Sequence, residues 1–301
     1  MTMPIRFTAE TLRSYVPLPG GMDGALFAAS CHALETEGEF ARANLVKGLG
    51  VALGLDERIS EKLAASIELF HLASLILDDL PCMDDADVRR SSPCVHKLFG
   101  DGTALLTALG FINRAYWLLW KLYSEFDQSI QQDAAGLVES CLGFDGLLDG
   151  QSKDIHFVNT HDDGPRVLEI ASKKTGSLLR LCLALPAILA GSSRYEKMHL
   201  DRLAENWGLA YQIADDLKDI FHGEGTSGKT AQRDAQLGRP NLALAAGENA
   251  TVAILKRLIS DSESSVRAIA DEQESDFFAL RLFQDCLSVK AQVLIAAHVA
   301  A

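Results

Sequence analysis

The 301-residue chain is short of positive charge: 28 Lys and Arg stand against 41 Asp and Glu, a formal net charge of −13. That balance excludes a nucleic-acid surface, which needs a basic stripe to meet phosphates. A long apolar run is missing too. The longest, Leu181 to Ala190, is too short to cross a bilayer, so no transmembrane segment is expected. The six cysteines (Cys31, Cys82, Cys94, Cys141, Cys182, Cys286) show no paired spacing of the zinc or redox type. Most lie in apolar stretches, as buried thiols in a reducing compartment do. The opening residues MTMPIRFTAETLRSYV have neither the apolar centre nor the cleavage site of a secretory leader, which makes a cytoplasmic protein the expectation. Prolines number only eight, alternating strand patterns are scarce, and no solenoid-period repeat is visible. No Ser/His/Asp or Cys/His set offers an enzymic nucleophile.

What is present is helix. Ile59 to Leu80 becomes apolar nearly all round after Ile67, the pattern of a helix in the middle of a bundle. Ala104 to Tyr123 and Leu203 to Phe221 read the same way. Breaks fall at Pro17–Gly21, Ser91–Pro93, Thr160–Pro165, Gly191–Ser193 and the polar run Gly223–Pro240. No linker is long enough to divide the chain. The expected fold is all-α, a single domain over residues 1–301 with roughly ten helices.

Two of these helices end in crowded acid. Residues 77–85 read LDDLPCMDD, and residues 212–219 read QIADDLKD. Asp215 and Asp219 are four residues apart and share a helix face, with Gln212 on the same stripe and Asp216 alongside. Acid pairs are ordinarily solvated surface groups, but these emerge from helices too apolar to lie on a surface. Burying several uncompensated carboxylates is prohibitive, and a divalent cation resolves the conflict. Hard oxygen ligands select Mg²⁺ or Mn²⁺ over zinc. Mg²⁺ divides its coordination among a few carboxylates, water and substrate phosphates. A chain of this net charge can then accept an anionic diphosphate.

At these residues the sequence resembles the trans-isoprenyl diphosphate synthase (polyprenyl synthetase) family, and within it bacterial geranylgeranyl and farnesyl diphosphate synthases. DDLPCMD (Asp78 to Asp84), followed by Arg89-Arg90 and His96, resembles the family's first aspartate-rich motif, and YQIADDLKD (Tyr211 to Asp219) resembles the second. ELFHLASL before the first motif, GQSKD at 150–154, KTG at 174–176 and GK at 228–229 stand in the family's order. The resemblance covers roughly residues 30 to 245. It implies an orthogonal helical bundle of the class I isoprenoid synthase type around a central cavity, and a homodimer.

Carried over residue by residue, it gives Asp78, Asp79, Asp84, Asp215, Asp216 and Asp219 as the magnesium set, holding three ions with the diphosphate, with Mn²⁺ as a substitute. Arg89, Lys174, Lys229 and Arg239 would grip an allylic diphosphate, and Arg42, His71 and Arg90 would hold isopentenyl diphosphate. Thr175 and Gln212 would line the reacting centre, with Lys174 beside them. The implied reaction ionises the allylic diphosphate, and the double bond of isopentenyl diphosphate attacks the cation. The tail would run past the residues preceding Asp78. Ala73 and Ser74 are small there, which favours the twenty-carbon geranylgeranyl diphosphate over a fifteen-carbon product. Alternatively, Ala73 only packs, and Phe70 or a residue of 104–120 sets the floor.

Three stretches depart from the family. Where it commonly reads GGKRLRP, this chain has EGEFARA (Glu37 to Ala43): Arg42 fits the last arginine, but Glu39 and Phe40 replace the lysine and the next arginine. LLTALGF (Leu105 to Phe111) stands for LLAGD with its apolar run, and Leu77 stands where histidine is frequent. The changes spare the metal half and weaken the isopentenyl half. Two other readings therefore remain open: class I terpene synthase-like ionisation without condensation, and a modulatory subunit of another synthase.

Overall fold

The computed structural model describes residues 6–35, 38–158, 163–221, 238–273 and 277–300. Among them are fourteen α-helices, one π-helical segment and one two-stranded hairpin, so the all-α class holds. The count exceeds ten because several helices have nine residues or fewer. The backbone gathers into two compact units, Met1–Val51 with Leu55–Asp127, and Ala52–Gly54 with Gln128–Ala301.

The first unit contains α1 (Ala9–Ser14), α2 (Gly24–Glu35), α3 (Ala41–Ala52), α4 (Glu57–Asp78), the strands β1 (Val88–Arg89) and β2 (Ser92–Pro93), α5 (Val95–Phe99) and α6 (Asp101–Tyr123). The Asp56 side chain accepts the Arg58 N–H and starts α4, satisfying one of the orphan amides of its first turn. Helix α4 lies along α6, and the small residues Ala64, Ala65 and Ala73 on one and Ala104, Ala108 and Ala115 on the other are all fully buried. Around them Leu63, Ile67, Leu69, Leu118 and Leu119 fill the core, each contributing about 1.5–3 kcal/mol by burial. One expectation is only half met. Helix α6 reads as a mid-bundle helix, yet Leu105, Leu106, Leu109, Tyr116, Trp117 and Trp120 form an exposed stripe along it. Hydrophobicity in a sequence marks a face that wants cover without saying which chain covers it.

The second unit contains α7 (Gln128–Leu142), α8 (Leu147–Ile155), α9 (Gly164–Ala171), the π-helical segment Ser172–Gly176, α10 (Ser177–Leu189), α11 (Arg194–Phe221), α12 (Leu242–Ala246), α13 (Glu248–Gln273) and α14 (Phe278–Ala300). Helix α11 runs through its centre against α10, α13 and α14. Its fully buried Trp207 donates Nε1–H to Gln284 Oε1 at 2.6 Å. The helix starts well before Leu203 because SRYE forms a capping box. Ser193 N–H donates to Glu196 Oε2 at 2.7 Å, and Glu196 N–H donates to Ser193 Oγ at 3.1 Å.

Among the described residues no helix is long and apolar enough to cross a membrane. All six cysteines are free thiols; Cys94, Cys141 and Cys182 are buried, whereas Cys82 and Cys286 are exposed.

Candidate active site

In the first unit the acidic segment is folded by its own backbone. Asp84 N–H donates to the Asp78 carbonyl at 2.9 Å, and Ala86 N–H donates to that of Asp79 at 3.1 Å. The turn brings Asp84 back beside the C-terminal end of α4, and both Asp78 and Asp84 are half-exposed. Asp79 differs from them. It is 4% exposed, and Arg89 grips it with Nε at 2.7 Å and Nη2 at 2.6 Å from Oδ1. The Cys94 thiol donates to the same carboxylate, and burial together with the Asp79 charge pushes that thiol up to about 12. Arg89 is delivered by the β1–β2 hairpin, whose corner residues Arg90 and Ser91 have φ of 52° and 65°. Positive φ at both corner positions is the type I′ geometry that Asn-Gly prefers, so Cβ-bearing residues strain this turn.

Helices α3 and α4 of the same unit bring Arg42 to His71, with Nη1 3.2 Å from Nε2. Burial first, then the charges of Arg42, Arg90 and Arg89, hold His71 well below its usual value. The ring is therefore neutral, and Arg42 donates to its Nε2. In the departed EGEFARA segment Glu39 is exposed, whereas Phe40 takes a left-handed backbone (φ 49°) and lays its ring 5.9 Å from that of Phe7. Phe40 is thus a packing residue. Ala73 is fully buried, Ser74 Oγ donates to the His71 carbonyl at 2.8 Å, and Phe70 meets Tyr116 edge-on at 4.9 Å.

The second unit gathers a second set. Lys174 Nζ lies 2.9 Å and Arg239 Nη1 3.4 Å from the same Oδ2 of Asp154. Thr175 Oγ1 donates to Gln212 Oε1 at 2.8 Å, and Gln212 Nε2 donates to Asp216 Oδ1 at 3.0 Å. Asp216, 1% exposed, also accepts Leu242 N–H on Oδ2 at 2.8 Å, which ties α11 to the start of α12. Asp215 is exposed and Asp219 half-exposed on that helix.

The π-helical turn explains how KTG reaches these partners. It directs Lys173 to Asp149 at 2.5 Å and Lys174 to Asp154, both on α8. Two glycines permit the close approach. A Cβ on Gly150 would sit 2.6 Å from Lys174 N, and one on Gly208 would sit 2.6 Å from Gly176 Cα. Such single-turn departures from α-helix recur where side chains must be re-aimed.

The donor chemistry suits magnesium. Asp78 and Asp84 in one segment and Asp215 and Asp219 in the other are at least partly exposed hard carboxylates, while Asp79 and Asp216 are engaged with protein donors. Among the described residues no three His, Cys, Asp or Glu are gathered as a metal cage. Mg²⁺ does not require one, because it completes its octahedron with water and substrate phosphate.

Sequence reasoning assigned no role to Asp154 or Glu68. Asp154 closes the GQSKD run and Glu68 precedes His71 by one turn in ELFHLASL, so both stood inside recognised stretches. Lys229 falls outside the described residues.

The profile of the polyprenyl synthetase family matches residues 24–274. Farnesyl diphosphate synthase of Escherichia coli (strain K12) is 31% identical over 252 residues, covering 82% of this chain and 83% of its own. Putative geranylgeranyl pyrophosphate synthase 8 of Arabidopsis thaliana is 29% identical over 259 residues, 85% of this chain and 72% of its own. Among solved structures, the geranyltranstransferase of Thermotoga maritima superposes with a TM-score of 0.75 at 26% identity, covering 94% of this chain and 96% of its own. The Helicobacter pylori geranyltransferase complexed with magnesium and isoprenyl diphosphate has a TM-score of 0.78 at 23% identity, covering 96% and 94%, and shares the fold.

Proposed function

The chain belongs to the polyprenyl synthetase family and is a trans-prenyltransferase, and from that premise we propose that it joins isopentenyl diphosphate head-to-tail to an allylic diphosphate, giving geranylgeranyl diphosphate. The observation that carries this reading is the Asp154-centred cluster, which presents Lys174 and Arg239 together and sets Thr175 on Gln212 beside the acidic face of α11.

Asp78 and Asp84, and on α11 Asp215 and Asp219, would hold Mg²⁺, with Asp79 and Asp216 fixing the backbone behind them. The chemistry that Mg²⁺ would supply there is charge to offset the diphosphate as a leaving group. Lys174, Arg239, Lys229 and Arg89 bind the allylic diphosphate and stabilise the charge that builds on it as the C–O bond breaks. Thr175 and Gln212 face the allylic cation. Arg42, Arg90 and His71 hold isopentenyl diphosphate, whose double bond attacks; the proton lost afterwards passes to the departing diphosphate. Apolar walls exclude the water that would quench the cation.

Chain length rests on Ala73, about 7.5 Å below Asp78 along the helix axis, where only a methyl group projects. Ala73→Phe is expected to shift product from twenty carbons to fifteen, read by chromatography of the dephosphorylated alcohols. A twenty-carbon product from that variant would move the floor to the Phe70–Tyr116 pair. The exposed stripe on α6 (Leu105, Leu106, Leu109, Tyr116, Trp117, Trp120) supports a homodimer built on that face, which Leu109→Glu would divide in sedimentation.

The deciding assay supplies Mg²⁺ and dimethylallyl, geranyl or farnesyl diphosphate, with and without isopentenyl diphosphate. Longer diphosphates formed only with isopentenyl diphosphate support the reading. Hydrocarbon or alcohol released without it would replace condensation with terpene synthase-like chemistry. Silence relieved by a second synthase chain would make this protein a modulatory subunit.

A further inference from the structure

Glu68 has no role in the mechanism above, yet it is one of the most confined charged groups of the first unit. It lies on α4, one turn before His71, and is 4% exposed. One carboxylate oxygen accepts the backbone N–H of Ala43. Ala43 is in the first turn of α3, where amides have no partner within the helix, so Glu68 caps the helix that carries Arg42. The other oxygen, Oε2, is buried without a hydrogen bond. Burial raises the Glu68 carboxyl above its usual value, and the guanidinium groups of Arg42 and Arg90 act against that shift and favour the anion. These come from different elements. Arg42 rides on α3 with Nη1 on His71, whereas Arg90 sits at the corner of the β1–β2 hairpin with its Nη1 over the Gly38 backbone, 2.5 Å from where a Cβ would be.

A buried carboxylate with an unbonded oxygen is costly, and so is a pair of cations on one wall. Each offsets the other. When a diphosphate arrives in front of Arg42 and Arg90, the two arginines are held between a fixed anion behind and the ligand anion ahead. Without the fixed anion they repel each other and the α3 N-terminus loses its counter-charge. We propose that Glu68 is a positioning residue for the isopentenyl diphosphate subsite: from behind, it fixes Arg42 and Arg90 in one arrangement and so sets affinity for that substrate. The proposal rests on the condensing reading given above. It also bears on the departed EGEFARA segment, where Glu39 stands in place of a cation and fewer positive groups remain to be arranged.

Glu68→Gln tests it, because the amide oxygen can still accept Ala43 N–H and only the charge is lost. Two readouts are compared with wild type. Calorimetric binding of isopentenyl diphosphate alone is expected to weaken at least tenfold. In steady-state kinetics KM for isopentenyl diphosphate is expected to rise by the same factor, with KM for the allylic substrate and kcat within twofold. Unchanged binding in the variant would overturn the proposal. So would an equal loss for both substrates accompanied by a lowered melting temperature, which marks a merely structural acid. Wild-type protein that binds isopentenyl diphosphate without condensing it would refute the proposed function, while the binding comparison would still decide the role of Glu68. No binding by wild type would overturn both.

Discussion

The two acidic segments solve one problem with different partners. Each has a middle aspartate withdrawn from solvent, Asp79 at 4% and Asp216 at 1% exposure, and flanking aspartates turned outward. Asp79 is anchored by charge, through Arg89 on a strained hairpin. Asp216 accepts from the Leu242 amide and the Gln212 side chain. The contrast teaches that an aspartate-rich motif is two kinds of residue in one string. Outer members keep coordination sites toward solvent, while the middle one fixes the backbone that aims them. An ion pair and an amide cap meet the same need, but they respond differently to loss of charge.

The comparison breaks outright if the outer and middle aspartates behave alike. Asp78→Ala and Asp215→Ala are expected to lower kcat about 100- to 1,000-fold in the Mg²⁺-supported assay, the cost of removing one electrostatic stabiliser. Their unfolding free energies should stay within about 0.5 kcal/mol of wild type. A melting loss larger than the activity loss would merge the two classes.

Charge neutralisation sharpens it next. Asp79→Asn leaves the mostly buried Arg89 without a counter-charge and should cost about 3 kcal/mol in urea unfolding, whereas Asp216→Asn keeps an acceptor for Leu242 N–H and should cost about 1 kcal/mol. Equal losses would show that the anchors do not differ in kind.

A smaller effect probes the frame of the second set. Gly208→Ala forces a methyl against Gly176 and should cost about 1–3 kcal/mol by overpacking, with kcat falling as Lys174 and Thr175 shift. The first set has the smallest lever. Ser91→Gly relieves positive φ at the hairpin corner and should raise stability by about 1 kcal/mol in thermal melts, leaving the Asp79–Arg89 pair intact.

Much of this was legible in the sequence. The helices read at Ile59–Leu80, Ala104–Tyr123 and Leu203–Phe221 appear as Glu57–Asp78, Asp101–Tyr123 and Arg194–Phe221. Periodicity marks such long apolar helices reliably, and the early start of the last was itself written in SRYE. The pairing of Asp215 with Asp219 on one face also followed from spacing alone. Three things did not. A π-helical turn has no periodic signature, because one extra residue in a turn leaves local composition unchanged. The uneven burial within each acidic string depends on Arg89 and Leu242, which lie ten and twenty-six residues away in sequence. Asp154 and Glu68 act through partners on other helices, so their own stretches give no hint of which cations they serve.

The π-helical segment also fixes the chain's length at that point. It joins α9 and α10 without a break, and Leu178, Leu179, Leu181, Cys182 and Leu183 beyond it are all buried. Each residue of helix advances the phase by about 100°, so a one-residue deletion within Ser172–Gly176 would rotate that whole apolar face out of the core. Substitutions on the outer side of α10 should therefore be far better tolerated by the protein than any change in residue count through KTG. The surplus residue acts as a phase setting for the thirteen residues of α10 that follow it.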